Sequence, residues 1–335
     1  MLWQPALAAF VIALLCVKAL ISETGQRLVL DHPNERSLHQ RPIPRTGGLA
    51  IMVGVGVGWL VGAPGFALVL SLAAGLAALS FLDDLFDLPA AVRLLGHLGA
   101  AAAVLWLELR THSLPVYLLL ALALAWSANL YNFMDGADGL AGGMAVFGFG
   151  AYAIAAWLSG VHPLAELCVV LAAASAGFLV RNFPPARIFM GDVGSVPIGF
   201  LAGALGLIGW NDGVWPLWFP VVVFAPFECD ATLTLVKRVL RREKVWEAHR
   251  EHYFQRLVRM GFGHRGTALI EYTTMLGCVG VALLARETNR MTQLWLIVGA
   301  TCVLIAIAVW IDLRWARFLR TQGDAARTDV GSAQA

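Results

Sequence analysis

Long apolar segments alternate with short polar connections along almost the whole chain of 335 residues. A helix of roughly 17 to 25 apolar residues is long enough to cross the hydrocarbon core of a bilayer. Eleven stretches reach or approach that length, at 3–22, 47–63, 65–82, 94–110, 114–131, 141–159, 163–181, 195–210, 214–236, 267–285 and 292–313. The pattern predicts an all-α integral membrane protein, a polytopic bundle of about 10–11 transmembrane helices.

Composition supports a single membrane domain. Hydrophobic residues make up 59% of the chain and charged residues only 14%, whereas soluble domains carry about 25% charged residues. No polar linker or low-complexity stretch interrupts residues 1–320, which we predict to form one polytopic domain. The segment 321–335, TQGDAARTDVGSAQA, is predicted to be a disordered cytoplasmic tail.

The basic residues give these spans an orientation. If the loop at 23–46 is cytoplasmic, 21 of the 24 Lys and Arg residues fall on the cytoplasmic side, and three fall on the other. Such an excess of Lys and Arg marks the cytoplasmic loops of membrane proteins. We therefore predict that the N-terminus is outside and the C-terminus is in the cytoplasm. The net charge of +2 is small, and no nucleic-acid partner is predicted.

Acidic residues close several of the predicted spans, all on the cytoplasmic face. A carboxylate beside hydrocarbon is costly, so a chain that places several there is using them. Anionic groups gathered in one place need cations, and a divalent metal with a phosphorylated substrate is the economical explanation. The pattern predicts one active site at the cytoplasmic face, built from Asp83 and Asp84 in FLDDLFD, Asp135 and Asp138 in NLYNFMDGADGLAGG, and Asp192 in IFMGDVGS.

Four polar residues recur at every third position in NLYNFMDGADGLAGG: Asn129, Asn132, Asp135 and Asp138. On an unbroken helix they would drift by roughly 60° per step and could not meet. The glycines between 136 and 143 predict that the helix ends there and that the backbone turns, so that the polar groups converge. Carboxylates and carboxamides together suit Mg²⁺, a ribose or an amide-bearing sugar. A polar turn between helices is the alternative.

The segment IFMGDVGSVP predicts a loop that leads into a new helix. Ser195 is a candidate N-cap, with Pro197 in the first turn. Backbone N–H groups would then open toward an anion, and Asp192 beside them could hold a metal between protein and phosphate. The alternative is that Asp192 is only a favourable charge near a helix start.

The largest cytoplasmic loop contains His249 and His252 at an i, i+3 spacing, with Arg250 between them. This spacing resembles a zinc site, but no further ligand motif accompanies it. Cationic or neutral imidazoles that face phosphates match better. A basic helix that binds anionic lipid is the alternative, and both roles can coexist.

The first cytoplasmic loop contributes Arg41 and Arg45, stiffened by neighbouring prolines. These arginines could grip a phosphate, or the loop could be an ordinary positive-inside connection. Within the ninth span, Glu228 and Asp230 follow Pro226. They could line a cavity, or Pro226 could break the helix there.

The ordered set FLDDLFD, NLYNFMDGADGLAGG, IFMGDVGS and AHREHYFQRL resembles the polyprenyl-phosphate N-acetylhexosamine-1-phosphate transferase family, glycosyltransferase family 4. The resemblance runs from about residue 25 to 266 and keeps motif order and sidedness. It implies a UDP-N-acetylhexosamine donor, undecaprenyl phosphate as the lipid acceptor, Mg²⁺ with Mn²⁺ as the alternative, and release of UMP. It also implies that the product initiates a cell-surface polysaccharide at the bacterial inner (plasma) membrane.

The resemblance assigns a role to each motif residue. It implies catalytic roles for Asp83, Asp84, Asp135, His249 and His252; substrate binding by Asn129, Asn132, Asp138, Phe189 (near the uracil), Arg250, Arg41 and Arg45; and metal binding by Asp192 and Asp135. Whether Asp83 or Asp84 acts as a base stays open. The oligomeric state also stays open, and a homodimer is one possibility.

Two departures from the family pattern stand out. The peptidoglycan members carry adjacent histidines and the common-antigen members an HIHH-like motif, whereas this chain has HREHYFQRL. With RSLHQRPIPRTGG, this looks more like the subgroup that initiates O-antigen with deoxy sugars such as N-acetylfucosamine or N-acetylquinovosamine. The chain also has Thr46 where Gly is expected in Pro-Arg-Gly-Gly-Gly.

A membrane transporter or flippase for an anionic or lipid-linked substrate is the competing function. Transporters also place carboxylates in the membrane, but near the midplane and on paired broken helices. A CDP-alcohol phosphotransferase would share an Asp-Gly start, but its Ala-Arg continuation is missing here.

Overall fold

The computed structural model describes residues 3–22, 30–31, 42–62, 65–109, 113–244 and 249–332. A π-helical turn, Val258–Phe262, follows α10, and the short antiparallel strands are β1 (Leu30–Asp31) and β2 (Ile43–Pro44). The helices are α1 (Trp3–Ile21), α2 (Gly47–Gly62), α3 (Ala67–Phe86), α4 (Ala90–Leu107), α5 (Leu114–Phe133), α6 (Leu140–Leu158), α7 (His162–Asn182), α8 (Asp192–Asn211), α9 (Trp218–Leu240), α10 (Tyr253–Leu257), α11 (Gly263–Arg286) and α12 (Arg290–Ser332).

Each of the eleven apolar stretches contains a helix, which confirms the prediction of a polytopic all-α bundle. Ten helical segments of the described chain are long and apolar enough to cross a membrane, and α2 is apolar but shorter. The last helix continues to Ser332, past residue 320, where the sequence predicts that a disordered tail begins.

The centre of the bundle is α8, which is buried from Val193 to Gly209 apart from Gly203. A helix that is apolar all round belongs in the interior. Small residues let it approach its neighbours: a Cβ added at Gly199 would lie 2.7 Å from the carbonyl oxygen of Ser127 on α5. The Ser127 hydroxyl in turn donates to the carbonyl of Gly199 over 2.8 Å. This close packing fixes the start of α8 relative to the end of α5.

Ser195 is not the N-cap of α8, so that prediction was wrong. The helix begins at Asp192 after Gly191, whose φ of 69° turns the chain. A Cβ at Gly191 would lie 2.3 Å from the carbonyl oxygen of Arg45, so only glycine allows this turn. Because the turn comes four residues earlier than predicted, Ser195 and Pro197 lie inside the helix.

Pro226 also lies inside a helix, because α9 continues past it to Leu240. The alternative that this proline breaks the ninth span was therefore wrong. Prolines are tolerated in membrane helices where neighbouring groups satisfy the freed backbone carbonyl. As a result, Asp230 and the basic end of α9 stay on one continuous helix that reaches the polar end of the bundle.

Candidate active site

A polar cavity of about 200 Å³ opens between the ends of α3 and α5 and the starts of α4 and α8. It brings together residues from three motifs that are far apart in the sequence. Its polar lining includes Asp83, Arg93, His97, Asn129, Asn132 and Asp192. Four of these, Asp83, Asn129, Asn132 and Asp192, are predicted site residues, whereas Arg93 and His97 were not predicted.

Asp83 and Asp84 each pair with an arginine from another segment. Neighbours on a helix point about 100° apart, so the two carboxylates face different partners. Asp83 accepts from Arg93 Nη1 at 2.9 Å and from the Leu88 backbone N–H at 2.8 Å. Asp84 forms an ion pair with Arg45. The pairing joins α3 to α4 and to the segment before α2, and it gathers two guanidinium groups beside the polar cavity.

Asn132 and Asp192 join the second and third motifs. Asn132 Nδ2 donates to Asp192 Oδ2 over 3.2 Å, and Ser195 Oγ donates to Asn132 Oδ1 over 2.8 Å. Nearby, the Gly191 backbone N–H donates to Asp135 Oδ2 over 3.0 Å. The early start of α8 is therefore what allows Ser195, one turn inside the helix, to orient the Asn132 amide.

The predicted glycine turn in NLYNFMDGADGLAGG is confirmed. The helix α5 ends at Phe133, α6 begins at Leu140, and Gly139 has a φ of 77° between them. A side chain at this position would also be crowded, because a Cβ at Gly139 would lie 3.1 Å from the Tyr272 hydroxyl. That hydroxyl donates to the Gly139 carbonyl over 2.7 Å and fixes the turn against α11.

Asp138 is held by the protein on the inner side of this turn. Its Oδ2 accepts from the Ala186 backbone N–H at 2.9 Å, and His264 Nδ1 lies 3.2 Å from Oδ1. The side chain is buried and does not belong to the lining of the polar cavity. In this structure Asp138 connects the turn to the loop between α7 and α8.

Phe189 precedes Asp192 and pairs through its backbone with the segment before α2. Its N–H donates to the Pro44 carbonyl over 2.8 Å, and its carbonyl accepts from Gly47 N–H at 2.9 Å. The side chain is half-buried and does not line the polar cavity. This pairing places Arg45 next to the start of α8. Arg41, predicted to bind substrate with Arg45, lies outside the described residues.

The histidine motif lies against the same end of the bundle. The rings of His249 and His252 are 4.9 Å apart, and His252 stacks on Phe133, which lines the polar cavity. A Cβ at Gly136 would lie 2.9 Å from the ring of Phe254, so α10 packs directly on the glycine turn. The motif predicted to share a site with the aspartates is therefore adjacent to them.

His249 is neutral near pH 7. Burial lowers its pKa to about 4, and the charges of His252 and Arg238 act in the same direction. Its Nδ1 accepts from the Glu251 backbone N–H at 3.3 Å, which leaves the ring proton on Nε2 as a donor. Of the cationic and neutral forms that the sequence left open, the neutral form is favoured in the folded protein.

Arg250 supplies the positive charge of this motif. Its carbonyl accepts from Arg259 Nη1 at 3.4 Å, but within the described residues its guanidinium forms no ion pair or hydrogen bond. A half-buried guanidinium in that state is available to an anionic ligand. The pair of His249 and Arg250 thus offers one neutral and one charged donor.

The donor set near Asp192 can be tested against Mg²⁺. Among the described residues, no group of three or more His, Cys, Asp or Glu side chains forms a closed metal site. Mg²⁺ bound with a phosphorylated substrate needs fewer protein ligands, because phosphate oxygens and water complete its shell. Asp192 and Asp83 line one cavity and offer carboxylate oxygens, which Mg²⁺ prefers. Asp135, the second predicted ligand, is next to Gly191 but does not line the cavity. These residues fit an ion shared with a substrate.

Comparison with known proteins identifies the family. The sequence model of glycosyl transferase family 4 matches residues 66–210. A probable undecaprenyl-phosphate N-acetylglucosaminyl 1-phosphate transferase of Bacillus subtilis (strain 168) is 32% identical over 289 residues, covering 79% of this chain and 80% of that protein. The chain belongs to this family.

Two further relatives of this family 4 protein have related names. The undecaprenyl-phosphate alpha-N-acetylglucosaminyl 1-phosphate transferase of Yersinia pestis is 30% identical over 290 residues, 76% of this chain and 78% of that protein. The decaprenyl-phosphate N-acetylglucosaminephosphotransferase of Mycobacterium tuberculosis (strain ATCC 25618 / H37Rv) is 32% identical over 307 residues, which cover 76% of this chain and 74% of that protein. The match to the first relative and to the family model confirms the predicted family.

Three side chains near the candidate site of this family 4 protein were not predicted from the sequence. Arg93 was counted only as a positive-inside residue, although it follows Asp83 by ten positions and pairs with it. His97 lines the polar cavity, where its Nδ1 lies 3.3 Å from Asn129 Nδ2. A lone histidine in an apolar span gives no periodic signal, so only the packing of α4 against α5 reveals it. Asn182 donates to the Ile188 carbonyl over 2.9 Å and holds the loop that leads to Asp192.

Proposed function

We propose that the protein transfers an N-acetylhexosamine-1-phosphate from a UDP-sugar to undecaprenyl phosphate. The products are undecaprenyl-diphosphate-sugar and UMP, and the lipid product initiates a cell-surface polysaccharide such as O-antigen. The reaction takes place at the cytoplasmic face of the bacterial inner membrane, where the nucleotide sugar is available. Membership of the family and the printed names of the relatives support polyprenyl-phosphate sugar-phosphate transfer.

The polar cavity is the observation that carries this proposal. It combines the carboxylates of Asp83 and Asp192 with the amides of Asn129 and Asn132, and Arg93 lies on its wall. Carboxamides can form hydrogen bonds with the hydroxyl and amide groups of a sugar, and guanidinium groups bind phosphate oxygens. A phosphorylated sugar is a ligand that needs both sets of groups together.

The reaction is a displacement at phosphorus. An oxygen of the lipid phosphate attacks the sugar-linked β-phosphorus of the UDP-sugar, and the bond to the UMP oxygen breaks. A phosphomonoester has a second pKa of roughly 6, so most of the nucleophile is already ionised near pH 7. Both reactants are anions, and charge repulsion is the main part of the barrier.

The protein's arginines counter that repulsion. Arg93 and Arg45 are each held by an aspartate, so their guanidinium groups are oriented before the substrates bind. This gives Asp83 and Asp84 a positioning role that does not require either to act as a base. Arg250 and the Nε2–H of His249 add donors from the neighbouring histidine motif, where α10 packs on the glycine turn.

Asp192 and Asp83 would hold Mg²⁺ together with the donor's phosphate oxygens. The ion, when bound, neutralises charge on the pyrophosphate and on the departing UMP. Asn132 keeps Asp192 in place through the bond from its Nδ2. Ser195 Oγ fixes the opposite end of the Asn132 amide.

The transporter alternative predicts polar groups near the middle of the bundle. The polar cavity instead lies where α3 and α5 end and where α4 and α8 begin. That position brings a cytosolic donor to a lipid phosphate at the membrane surface. It supports the transferase over the transporter.

The proposal is tested with purified protein in detergent or nanodiscs. UMP release is measured with undecaprenyl phosphate and a panel of UDP-N-acetylhexosamines, with and without Mg²⁺. We expect UMP to form only when donor, lipid phosphate and Mg²⁺ are all present. Substrate uptake into vesicles without UMP formation would support the transporter instead.

A further inference from the structure

Asp230, on α9, is buried and makes hydrogen bonds to the start of α10. Its Oδ1 accepts from the Tyr253 N–H at 2.9 Å, and its Oδ2 accepts from the Phe254 N–H at 3.0 Å. The same carboxylate lies 3.0 Å from His252 Nδ1 and accepts from Thr234 Oγ1 at 3.2 Å. A carboxylate at a helix start satisfies N–H groups that have no partner inside the helix.

The contact with Asp230 holds one nitrogen of the His252 ring. His252 Nδ1 lies 3.0 Å from Asp230 Oδ1, beside the two backbone N–H groups that the same carboxylate binds. The His252 side chain also takes part in a capping box with Gln255, whose Oε1 accepts from the His252 backbone N–H at 3.2 Å. Because Nδ1 is the nitrogen held against Asp230, Nε2 is the ring nitrogen left for a ligand.

The ring of His252 is also held in orientation by stacking. It lies 5.7 Å from the ring of Phe254, at an interplanar angle of 16°, and 6.4 Å from Phe133, at 29°. Phe133 lines the polar cavity. His252 therefore has a fixed ring plane, an Nδ1 held by Asp230 and a position next to the candidate site.

A second carboxylate holds α10 independently of Asp230. Asp312 on α12 accepts from Arg256 Nη1 at 2.9 Å and also binds Lys237. Tyr253 donates from its hydroxyl to the same carboxylate over 3.3 Å. Because α10 keeps this attachment to α12, a change at Asp230 should release the His252 ring without detaching the helix.

We infer that Asp230 is a positioning residue that holds the His252 ring through Nδ1 and leaves Nε2 to contact the substrates. A phosphate oxygen or a sugar hydroxyl is the group that a ring nitrogen in this position recognises. His249, whose Nδ1 accepts from the Glu251 N–H, offers its own Nε2–H beside it. This inference rests on the proposed function, since it concerns the same substrates.

Two substitutions of His252 separate the two ring nitrogens. In His252→Asn the side-chain amide N–H takes the place of Nδ1 and keeps the bond to Asp230. In His252→Gln the amide reaches the position of Nε2 but loses that bond. Neither variant alters Asp230, so this comparison stands even if Asp230 variants fail to fold.

The variants are compared by kcat/KM for UMP release. We expect Asp230→Asn to lower it by about 10- to 100-fold, the usual cost of losing the partner that orients a functional histidine. Glu228→Gln, the same change two residues earlier on α9, is the matched control and should stay near wild type. The double variant Asp230→Asn/His252→Ala should be no slower than His252→Ala alone, because Asp230 acts through His252.

Two results would overturn the inference. Effects of Asp230→Asn and His252→Ala that multiply would show that Asp230 acts independently of His252. Full activity of His252→Asn would show that only the bond to Asp230 matters and that Nε2 contacts nothing. Hydrogen exchange of the Tyr253 and Phe254 amides, faster in Asp230→Asn than in Glu228→Gln, tests the anchor without any substrate. If wild-type protein releases no UMP from any UDP-sugar while the anchor is intact, the proposed function fails instead.

Discussion

Asn132 donates from Nδ2 to Oδ2 of Asp192 over 3.2 Å, which joins the end of α5 to the start of α8. The amide cannot rotate freely, because Ser195 Oγ donates to its Oδ1 over 2.8 Å. One Asp192 oxygen is thereby occupied by a neutral donor. The remaining acceptor capacity of the carboxylate faces the polar cavity, where a metal and a phosphate would bind.

Asp192→Asn should abolish most of the activity. The substitution keeps the shape of the side chain but removes the negative charge from the proposed Mg²⁺ site. We expect kcat for UMP release to fall by at least ~10²-fold, with incomplete rescue at high Mg²⁺. Asp212→Asn, at the opposite end of the same helix α8, is the control and should leave the rate unchanged. A near-normal rate for Asp192→Asn would mean that Asp192 is only a helix-terminus charge.

Arg93→Gln tests whether the arginine paired with Asp83 contacts substrate. The change removes a guanidinium from the wall of the polar cavity and leaves Asp83 without its arginine partner. Because Arg93 is partly exposed, we expect a loss of about tenfold in kcat/KM, equivalent to roughly 1.4 kcal/mol. Arg317→Gln, an exposed arginine of α12, serves as the control. Equal rates in the two variants would leave Arg93 with a structural role alone.

The pH dependence of His249 follows from its lowered pKa. A histidine with a folded pKa of about 4, below its ordinary value of 6.5, stays neutral in the folded protein at pH 5.5 to 8. Its contribution to stability is present above about pH 6.5 and is lost as the pH falls through the folded pKa. We therefore expect the kcat/KM profile of wild type between pH 5.5 and 8 to run parallel to that of His249→Gln.

The His249→Gln variant should also be the milder one. Gln can place an N–H near the position of Nε2, whereas His249→Ala removes the donor altogether. We expect His249→Ala to lose roughly 2–4 kcal/mol of transition-state stabilisation, and paired neutralisation of Arg241 and Arg242 to cost much less. Equally mild effects at both places would leave the loop as a lipid-facing basic surface, where each basic residue contributes about 1 kcal/mol.

The sequence predicted the helices and the gathering of the motifs because both depend on charge beside hydrocarbon. A span cannot hold Asp83 or Asp192 in its middle without a partner, so these residues mark its ends. The glycine turn before α6 was predictable from local sequence, because glycine readily adopts the positive φ that Gly139 has. Sidedness followed from the basic residues and stays a prediction.

Contacts between motifs could not be predicted in this way. Asp83 pairs with an arginine that spacing alone classes as a positive-inside residue, and two of the partners of Asp230 are backbone N–H groups of α10. The start of α8 was predicted wrongly at Ser195, because the turn at Gly191 depends on the close approach of the Arg45 carbonyl. Each of these features depends on tertiary packing between segments far apart in the chain.

The orientation in the membrane can be tested directly. A reporter fused after Arg320 should behave as cytoplasmic, and one inserted near Arg290 as external, because Lys and Arg concentrate on one side. Cysteine accessibility at the same two positions provides an independent measurement. The reverse pattern would place the polar cavity outside and away from cytosolic UDP-sugars.

Thr46, which stands where the family pattern has glycine, lies at a position that does not need glycine. The non-glycine residues with positive φ in the described chain are Phe66, Asp87 and Arg242, so Thr46 adopts an ordinary backbone conformation. Its side chain is 2% exposed, and its hydroxyl has no hydrogen-bond partner in the described part of the protein. A buried hydroxyl without a partner costs about 1–3 kcal/mol.

Thr46→Val should therefore stabilise the protein. Valine has the same shape and replaces the unsatisfied hydroxyl with a methyl group, so the packing around Gly47 and Gly48 is kept. We expect a higher Tm in detergent and unchanged UMP release. Thr46→Gly is the informative comparison, since it removes the hydroxyl but also leaves a void and frees the backbone, and it should lower the Tm. If Thr46→Val lowers the Tm or the rate instead, the hydroxyl makes a contact with water or substrate that stabilises this segment beside Arg45.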